Sequence, residues 1–66
     1  MSRELQLAKI KRDRETKEEE IVPFFIHEDR IQCLYKDRNG VFIVDKRGFL
    51  NKVPYKLSDL QELLGL

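Results

Sequence analysis

Residues 34–53 decide the fold; they read LYKDRNGVFIVDKRGFLNKV and contain one four-residue pattern twice. The pattern is an aspartate, a basic residue, a polar residue and a glycine, at 37–40 and again at 45–48. Each copy stands between short runs of Val, Ile, Phe and Leu, which favour β-strands. Aspartate at the first position and glycine at the fourth suit a type I turn. The stretch therefore predicts two tight turns joining antiparallel strands at 31–36, 41–44 and 49–53.

The register of these strands is predicted by keeping charge out of the core. Turns of four residues give three cross-strand pairs: Tyr35–Phe42, Cys33–Val44 and Val44–Phe49. A two-residue Asn-Gly loop would instead place Cys33 opposite Lys46, which mixes charge into the apolar face. A turn with a glycine bulge stays open as an alternative.

Both faces of the predicted sheet carry apolar side chains. We expect the first face to form the core; it carries Ile31, Cys33, Tyr35, Phe42, Val44, Phe49 and Val53. The second face carries Leu34, Val41, Ile43 and Leu50 beside Lys36 and Lys52. This is more apolar surface than a solvated face needs, so we expect Leu34, Ile43 and Leu50 to form an interface. The N-terminal segment or a second copy of the chain would cover it, and a homodimer is therefore expected.

The first twenty residues differ in composition from the rest. Residues 2–20 are mostly charged, are rich in good helix formers and lack Gly and Pro. They predict a charged N-terminal helix or arm over 1–20, tethered through Leu5, Ala8 and Ile10. A single small domain is expected to occupy 21–66. It should begin with an edge strand, because Pro23 has no N–H to donate to a sheet.

The C-terminal residues have the pattern of an amphipathic helix. Ser58 followed by Gln61 predicts a capping box, and Gly65 is a natural stop. The apolar stripe consists of Leu57, Leu60, Leu63 and Leu64, which should pack against the sheet. The predicted fold class is α+β: a small antiparallel meander of three to four strands, a C-terminal helix and a charged N-terminal helix.

The composition excludes several classes of protein. A chain of 66 residues forms one domain, and its single cysteine, Cys33, allows no internal disulfide. The longest uncharged run, at 21–27, is too short to span a membrane. His27 is the only histidine and does not belong to a cluster with metal-ligand spacing. We expect a soluble cytoplasmic protein that is not an enzyme, binds no metal or cofactor and does not contact a membrane.

Charge is balanced over the chain but not within it. Thirteen Lys and Arg stand against twelve Asp and Glu, giving a net charge of +1. Residues 36–56, however, contain an excess of basic side chains: Lys36, Arg38, Lys46, Arg47, Lys52 and Lys56 against Asp37 and Asp45. A local basic face on a neutral protein suits a phosphate backbone. The alternative is that these are ordinary solvated turns, since Lys also protects strand edges.

Residues 28–64, EDRIQCLYKDRNGVFIVDKRGFLNKVPYKLSDLQELL, resemble the first half of a LytTR-type DNA-binding domain. The matching pieces are 29–31, 37–40, 42–44 and the Leu-rich segment 57–64. The family continues with a Phe-x-Arg-x-His-x-Ser segment and further strands, which this sequence does not contain. The resemblance implies DNA binding in which Arg38 and Asn39, between the first two matched strands, contact the DNA.

Two functional hypotheses follow from these patterns. The first is a small regulatory protein that binds DNA and acts in transcription regulation. Its phosphate contacts would be Arg38, Lys46, Arg47 and Lys52, and Asn39 would reach a base edge. The second is a protein-binding inhibitor or adaptor that acts on a larger partner through its apolar sheet face and N-terminal helix.

Overall fold

The computed structural model describes residues 3–65 and shows an α+β fold. The elements in chain order are β1 Glu4–Arg12, β2 Glu19–His27, a 3-10 turn Glu28–Arg30, β3 Ile31–Asp37, β4 Gly40–Asp45, β5 Leu50–Val53 and α1 Leu57–Leu63. The strands form two antiparallel sheets, one of β1 and β2 and one in the order β3-β4-β5. No helix within residues 3–65 is long and apolar enough to cross a membrane.

The predicted N-terminal helix is wrong, because residues 4–12 form strand β1. It pairs with β2 along its whole length, with Leu5 opposite Ile26 and Arg12 opposite Glu19. The helix formers in this segment are outweighed by the apolar, β-branched strand that follows, since pairing gives each strand a hydrogen-bonded partner. The change of composition at residue 21 is therefore not a structural boundary, since residue 21 lies inside β2 of the hairpin.

The first predicted turn is confirmed. Tyr35 lies opposite Phe42 and Cys33 opposite Val44, as four-residue turns require. The carboxylate of Asp37 accepts a hydrogen bond from the backbone N–H of Asn39 at 2.7 Å, which closes the turn from inside.

The predicted register of the second turn is wrong by one residue, because Val44 lies opposite Leu50 and not Phe49. Gly48 has φ +88°, a left-handed conformation that side chains other than glycine adopt at a cost. Its N–H donates to the Asp45 carbonyl at 2.9 Å, and the Asp45 N–H donates to the Phe49 carbonyl at 3.1 Å. This is the glycine-bulge alternative, and it adds one residue to the loop.

The core lies on the opposite face of the β3-β4-β5 sheet from the one predicted. Its buried members are Leu5, Ile26, Val41, Ile43, Val53 and Leu60. Ile43 is 0% exposed, whereas Tyr35 is 46% and Phe49 63% exposed, and Cys33 is exposed as well. Both the β1–β2 hairpin and α1 supply buried residues to the Ile43 side, which leaves the predicted core face open. Val53 was predicted on the face that is open, but it is buried, because the glycine bulge shifts the register of β5 by one residue.

The predicted interface residues are separated by this packing. Ile43 is buried and Leu34 is packed against the core, so neither is available as an interface. The N-terminal segment does supply part of the cover, as a β-hairpin and not as a helix. Leu50 lies on the other face and is 59% exposed.

Helix α1 packs as predicted, with one exception and a different start. Leu60 is 2% exposed, and Leu57 and Leu64 pack against the core, but Leu63 is 40% exposed. The capping box is wrong, because the helix begins at Leu57 after an N-cap at Lys56 that makes no side-chain cap hydrogen bond. Gly65, at φ +73°, lies just after the end of the helix, as predicted.

Polar contacts hold the N-terminal part of the chain to the C-terminal part. The backbone N–H of Ala8 donates to the Tyr55 hydroxyl at 2.9 Å. A guanidinium nitrogen of Arg3 donates to the Leu63 carbonyl at 2.9 Å and lies 3.4 Å from a Glu28 carboxylate oxygen. These contacts hold Arg3 and β1 against Tyr55 and the end of α1.

Candidate functional site

The two basic turns lie at opposite ends of the β3-β4-β5 sheet. Arg38 and Asn39 stand in the turn before β4, and Lys46 and Arg47 in the turn after it. The length of β4 separates them, about 17 Å at roughly 3.3 Å per strand residue. They therefore form two separate basic positions.

The aspartates of both turns are hydrogen-bonded to their own backbone. Asp37 accepts from the Asn39 N–H, and one carboxylate oxygen of Asp45 accepts from the N–H groups of Arg47 at 2.9 Å and Phe49 at 3.1 Å. Among residues 3–65 no ion pair within 4.0 Å involves the side chains of Arg38, Lys46 or Arg47. The basic side chains of the turns are exposed and available to an external anion.

Lys52 is placed differently from the other predicted contacts. It lies on β5 opposite Phe42, and its ammonium is 3.3 Å from a carboxylate oxygen of Glu19. Its methylene chain passes over the first turn so closely that a Cβ on Gly40 would lie 3.0 Å from Lys52 Cε. The charge of Lys52 is therefore already compensated, and its alkyl chain covers the turn.

The second turn is joined to residues that the sequence analysis did not single out. The backbone N–H of Lys46 donates to the Arg30 carbonyl at 3.0 Å, which brings the 3-10 turn beside the loop after β4. Between them and β2 lies a cleft of about 360 Å³. The cleft is lined by Phe24, Phe25, Ile26, His27, Arg30, Asp45, Lys46 and Arg47. We call this the basic cleft.

The two phenylalanines of the basic cleft have different roles. Phe24 packs against the core, and the ammonium of Lys9 lies 5.4 Å from its ring centroid. Phe25, on the other face of β2, is 61% exposed. Its ring is therefore the aromatic surface that the cleft offers to a ligand.

The charge of the basic cleft is positive. Arg30, Lys46 and Arg47 bring three cations against the single carboxylate of Asp45, which already accepts two backbone hydrogen bonds. The imidazole of His27 lies 3.8 Å from a Glu4 carboxylate oxygen. Within residues 3–65, no three His, Cys, Asp or Glu side chains come together as a metal site. The arrangement suits an anion that also carries a flat apolar group.

A second surface is the open face of the β3-β4-β5 sheet, which we call the outer face. It carries Cys33, Tyr35, Phe42, Val44, Leu50 and Lys52. The rings of Tyr35 and Phe42 lie 6.0 Å apart at 40°, which is within the range of favourable aromatic pairs. No described part of the chain covers Leu50 or Tyr35, which are 59% and 46% exposed.

Phe25 and His27 could not have been identified as site residues from sequence spacing. Phe25 lies on the predicted edge strand and His27 at its end, and no pattern places that strand beside the second turn. Arg30 directly precedes β3, and the pairing of β3 with β4 brings it beside Lys46, so its position was available from the predicted register.

The comparisons with known proteins assign no family: no family model matches the chain, and no match is found among curated proteins or solved structures. The resemblance to LytTR-type domains therefore stays a prediction, and function has to be argued from the geometry above.

Proposed function

We propose that this chain is a non-enzymatic DNA-binding module of a regulatory protein. The observation that supports it most directly is the use of the turn aspartates. The carboxylates of Asp37 and Asp45 accept hydrogen bonds from backbone N–H groups, and among residues 3–65 neither forms an ion pair with a basic side chain. Arg38, Lys46 and Arg47 are left to bind phosphate oxygens, which accept charge-assisted hydrogen bonds from such side chains.

The spacing of the turns allows separate phosphate contacts. The two basic positions lie about 17 Å apart, which exceeds the roughly 12 Å width of the major groove of B-DNA, so they would contact different phosphates and not share one. Arg30 adds a third cation at the Lys46 end. Asn39 is exposed at the other end, and an asparagine amide there suits the paired donor and acceptor of an adenine edge.

The near-neutral net charge is compatible with this proposal because acidic residues are concentrated elsewhere. The hairpin places Lys11 opposite Glu20 and Arg12 opposite Glu19, so charges there are balanced across the strands. The ends of the β3-β4-β5 sheet are where the uncompensated cations stand. A short-range electrostatic contact depends on this local charge and not on the total.

Salt dependence of duplex binding tests the proposal. Binding of a fluorescent 20-bp duplex should weaken with salt, with a slope of log affinity against log salt of about −0.9 for each phosphate contact. Arg47→Ala should reduce the slope by about one unit. Lys11→Ala removes the same formal charge from the hairpin and should leave the slope unchanged, which makes it the matched control.

The result that overturns DNA binding is equally specific. If the duplex does not bind at low salt, or if Arg47→Ala and Lys11→Ala change the slope equally, the turns make no phosphate contact. They would then be solvated corners whose charge acts only through the protein's overall field.

A protein-binding module is the second candidate, and the outer face favours it. The exposed Tyr35 and Leu50, together with the half-buried Phe42 and Val44, form an apolar area of a kind that marks interaction sites. A second copy of the chain is the occupant that this face suits, because two like apolar faces need no complementary charge and Lys52 is neutralised by Glu19. Sedimentation equilibrium should then show a dimer that Leu50→Ser dissociates; a monomer at all concentrations excludes it.

A further inference from the structure

The basic cleft combines an exposed aromatic ring with three cations, and the duplex contacts proposed above do not use that ring. Phe25 is 61% exposed on β2 and lines the cleft together with Arg30, Lys46 and Arg47. We propose that the basic cleft binds one unpaired nucleotide of a single-stranded nucleic acid. The base stacks on Phe25, and the flanking phosphates lie against Arg30, Lys46 and Arg47.

The chemistry of the cleft selects this class of ligand. Single strands are held by a positively charged groove together with aromatic side chains on which successive bases stack. A fully paired duplex presents its phosphates but keeps its base faces covered, so it has no group to place on Phe25. An acidic peptide would satisfy the cations and leave the ring unused. An unpaired nucleotide uses both parts of the cleft.

The size and the construction of the cleft are consistent with one nucleotide. Its volume of about 360 Å³ is at the lower end of the range for small-ligand sites. The backbone that carries its cations is held in place, since the Lys46 N–H donates to the Arg30 carbonyl and the Arg47 N–H donates to the Asp45 carboxylate. Phe24 also lines the cleft, but it is half-buried against the core and the Lys9 ammonium lies 5.4 Å from its ring centroid, so Phe25 offers the more open ring.

This inference extends the proposed DNA binding to single strands but rests on a separate residue. Arg30, Lys46 and Arg47 belong to both surfaces, whereas Phe25 belongs to the basic cleft alone. A variant of Phe25 therefore distinguishes the two.

The test is binding of fluorescein-labelled dT12 to the full chain by anisotropy at low salt. Phe25→Ala should weaken dT12 binding about tenfold or more, since a stacked base contributes a factor of this order or larger. Phe49→Ala is the matched control: it removes the same ring at 63% exposure, close in sequence to Arg47 but outside the cleft lining. It should change dT12 binding by less than about twofold. Thermal melting of both variants verifies that they are folded, and U12 in place of dT12 tests RNA.

Three outcomes decide the proposal. If dT12 does not bind, or if Phe25→Ala and Phe49→Ala weaken it equally, the cleft does not take a base. If a dodecamer of glutamate competes as well as unlabelled dT12, the cleft is a simple anion site and the proposal is wrong. If duplex binding fails while dT12 binding depends on Phe25, the duplex proposal is wrong and the single-strand inference stands.

Discussion

The backbone N–H of Lys46 donates to the carbonyl oxygen of Arg30 at 3.0 Å, and this one bond joins the loop after β4 to the 3-10 turn after β2. Arg30 precedes β3 and Lys46 follows β4, so the bond continues the β3–β4 pairing beyond Ile31 and Asp45 and holds the 3-10 turn beside the second turn at the basic cleft. Because the contact is made by backbone atoms, the side chains of Arg30 and Lys46 are exposed and free to change without removing it. Variants of the cleft should therefore report on binding and not on folding.

Tyr55 should contribute measurably to the position of the hairpin. Tyr55→Phe removes the hydroxyl that accepts the Ala8 N–H, a hydrogen bond of 2.9 Å in a partly buried place. The expected loss is about 0.5–1.5 kcal/mol in the free energy of unfolding, measured by urea denaturation. The Ala8 amide should also exchange its hydrogen faster. Tyr35→Phe, on the exposed outer face, is the control and should change neither quantity; unchanged Ala8 exchange in Tyr55→Phe would show that the bond is not formed in solution.

Ile43 and Leu50, which the sequence placed on one face, should respond very differently to truncation. Ile43 is 0% exposed, so Ile43→Ala removes core contacts and should cost about 2–5 kcal/mol. Leu50 is 59% exposed, and Leu50→Ala should change the unfolding free energy by about 0.5 kcal/mol or less.

Chemical denaturation followed by circular dichroism measures both changes. A domain of this size has a small free energy of unfolding, so the loss caused by Ile43→Ala can be enough to leave it unfolded. Ile43→Val should lower the free energy of unfolding by about 0.5–1.5 kcal/mol and serves as the milder variant in that case. Equal effects of Ile43→Ala and Leu50→Ala would mean that the bulge at Gly48 is absent and that β5 pairs in the predicted register, with Phe49 opposite Val44.

The inversion of the two sheet faces shows what alternation in a sequence can and cannot decide. The pairs Tyr35–Phe42 and Cys33–Val44 were predictable because one turn fixes them. Which face is buried was not, since apolar residues occupy both faces of β3 and β4. That choice is made by the hairpin and α1, which pack on Ile43, and neither contact is encoded in the spacing within the meander. Tertiary contacts outweigh the local pattern here.

The single-residue shift of β5 has a more local cause. Aspartate first and glycine fourth fit a type I turn of four residues, but the same residues also fit a loop that ends in a left-handed glycine. The two differ by one residue of register and therefore exchange Phe49 for Leu50 opposite Val44. The candidate site was predictable in its turn residues and in the position of Arg30. Arg30 is brought beside Lys46 by the pairing of β3 with β4, whereas Phe25 enters the site only through the packing of the hairpin, which the sequence does not indicate.

Cys33 should react quickly in the native protein. The sequence placed it in the core, but its position on the outer face leaves it exposed. A thiol reagent such as 5,5′-dithiobis(2-nitrobenzoate) should therefore label the folded chain at a rate within a few-fold of the rate in denaturant. Cys33→Ser gives the background. Protection of Cys33 that increases with protein concentration would show instead that a second copy covers the outer face.

Removing the charge of Asp45 should strengthen the nucleic-acid binding proposed for the basic cleft. One of its carboxylate oxygens holds the turn by accepting the N–H groups of Arg47 and Phe49, and an asparagine amide oxygen can accept the same two bonds. Asp45→Asn therefore keeps the loop and removes the negative charge that lies among Lys46, Arg47 and Arg30. An exposed charge pair of this kind contributes about 0.2–1 kcal/mol, so binding of dT12 and of duplex at low salt should tighten by roughly two- to fivefold.

Asp37→Asn makes the same change at the other turn; it should tighten duplex binding through Arg38 but leave dT12 binding nearly unchanged. Weaker binding by Asp45→Asn with an unchanged melting temperature would mean that the cleft does not contact phosphate.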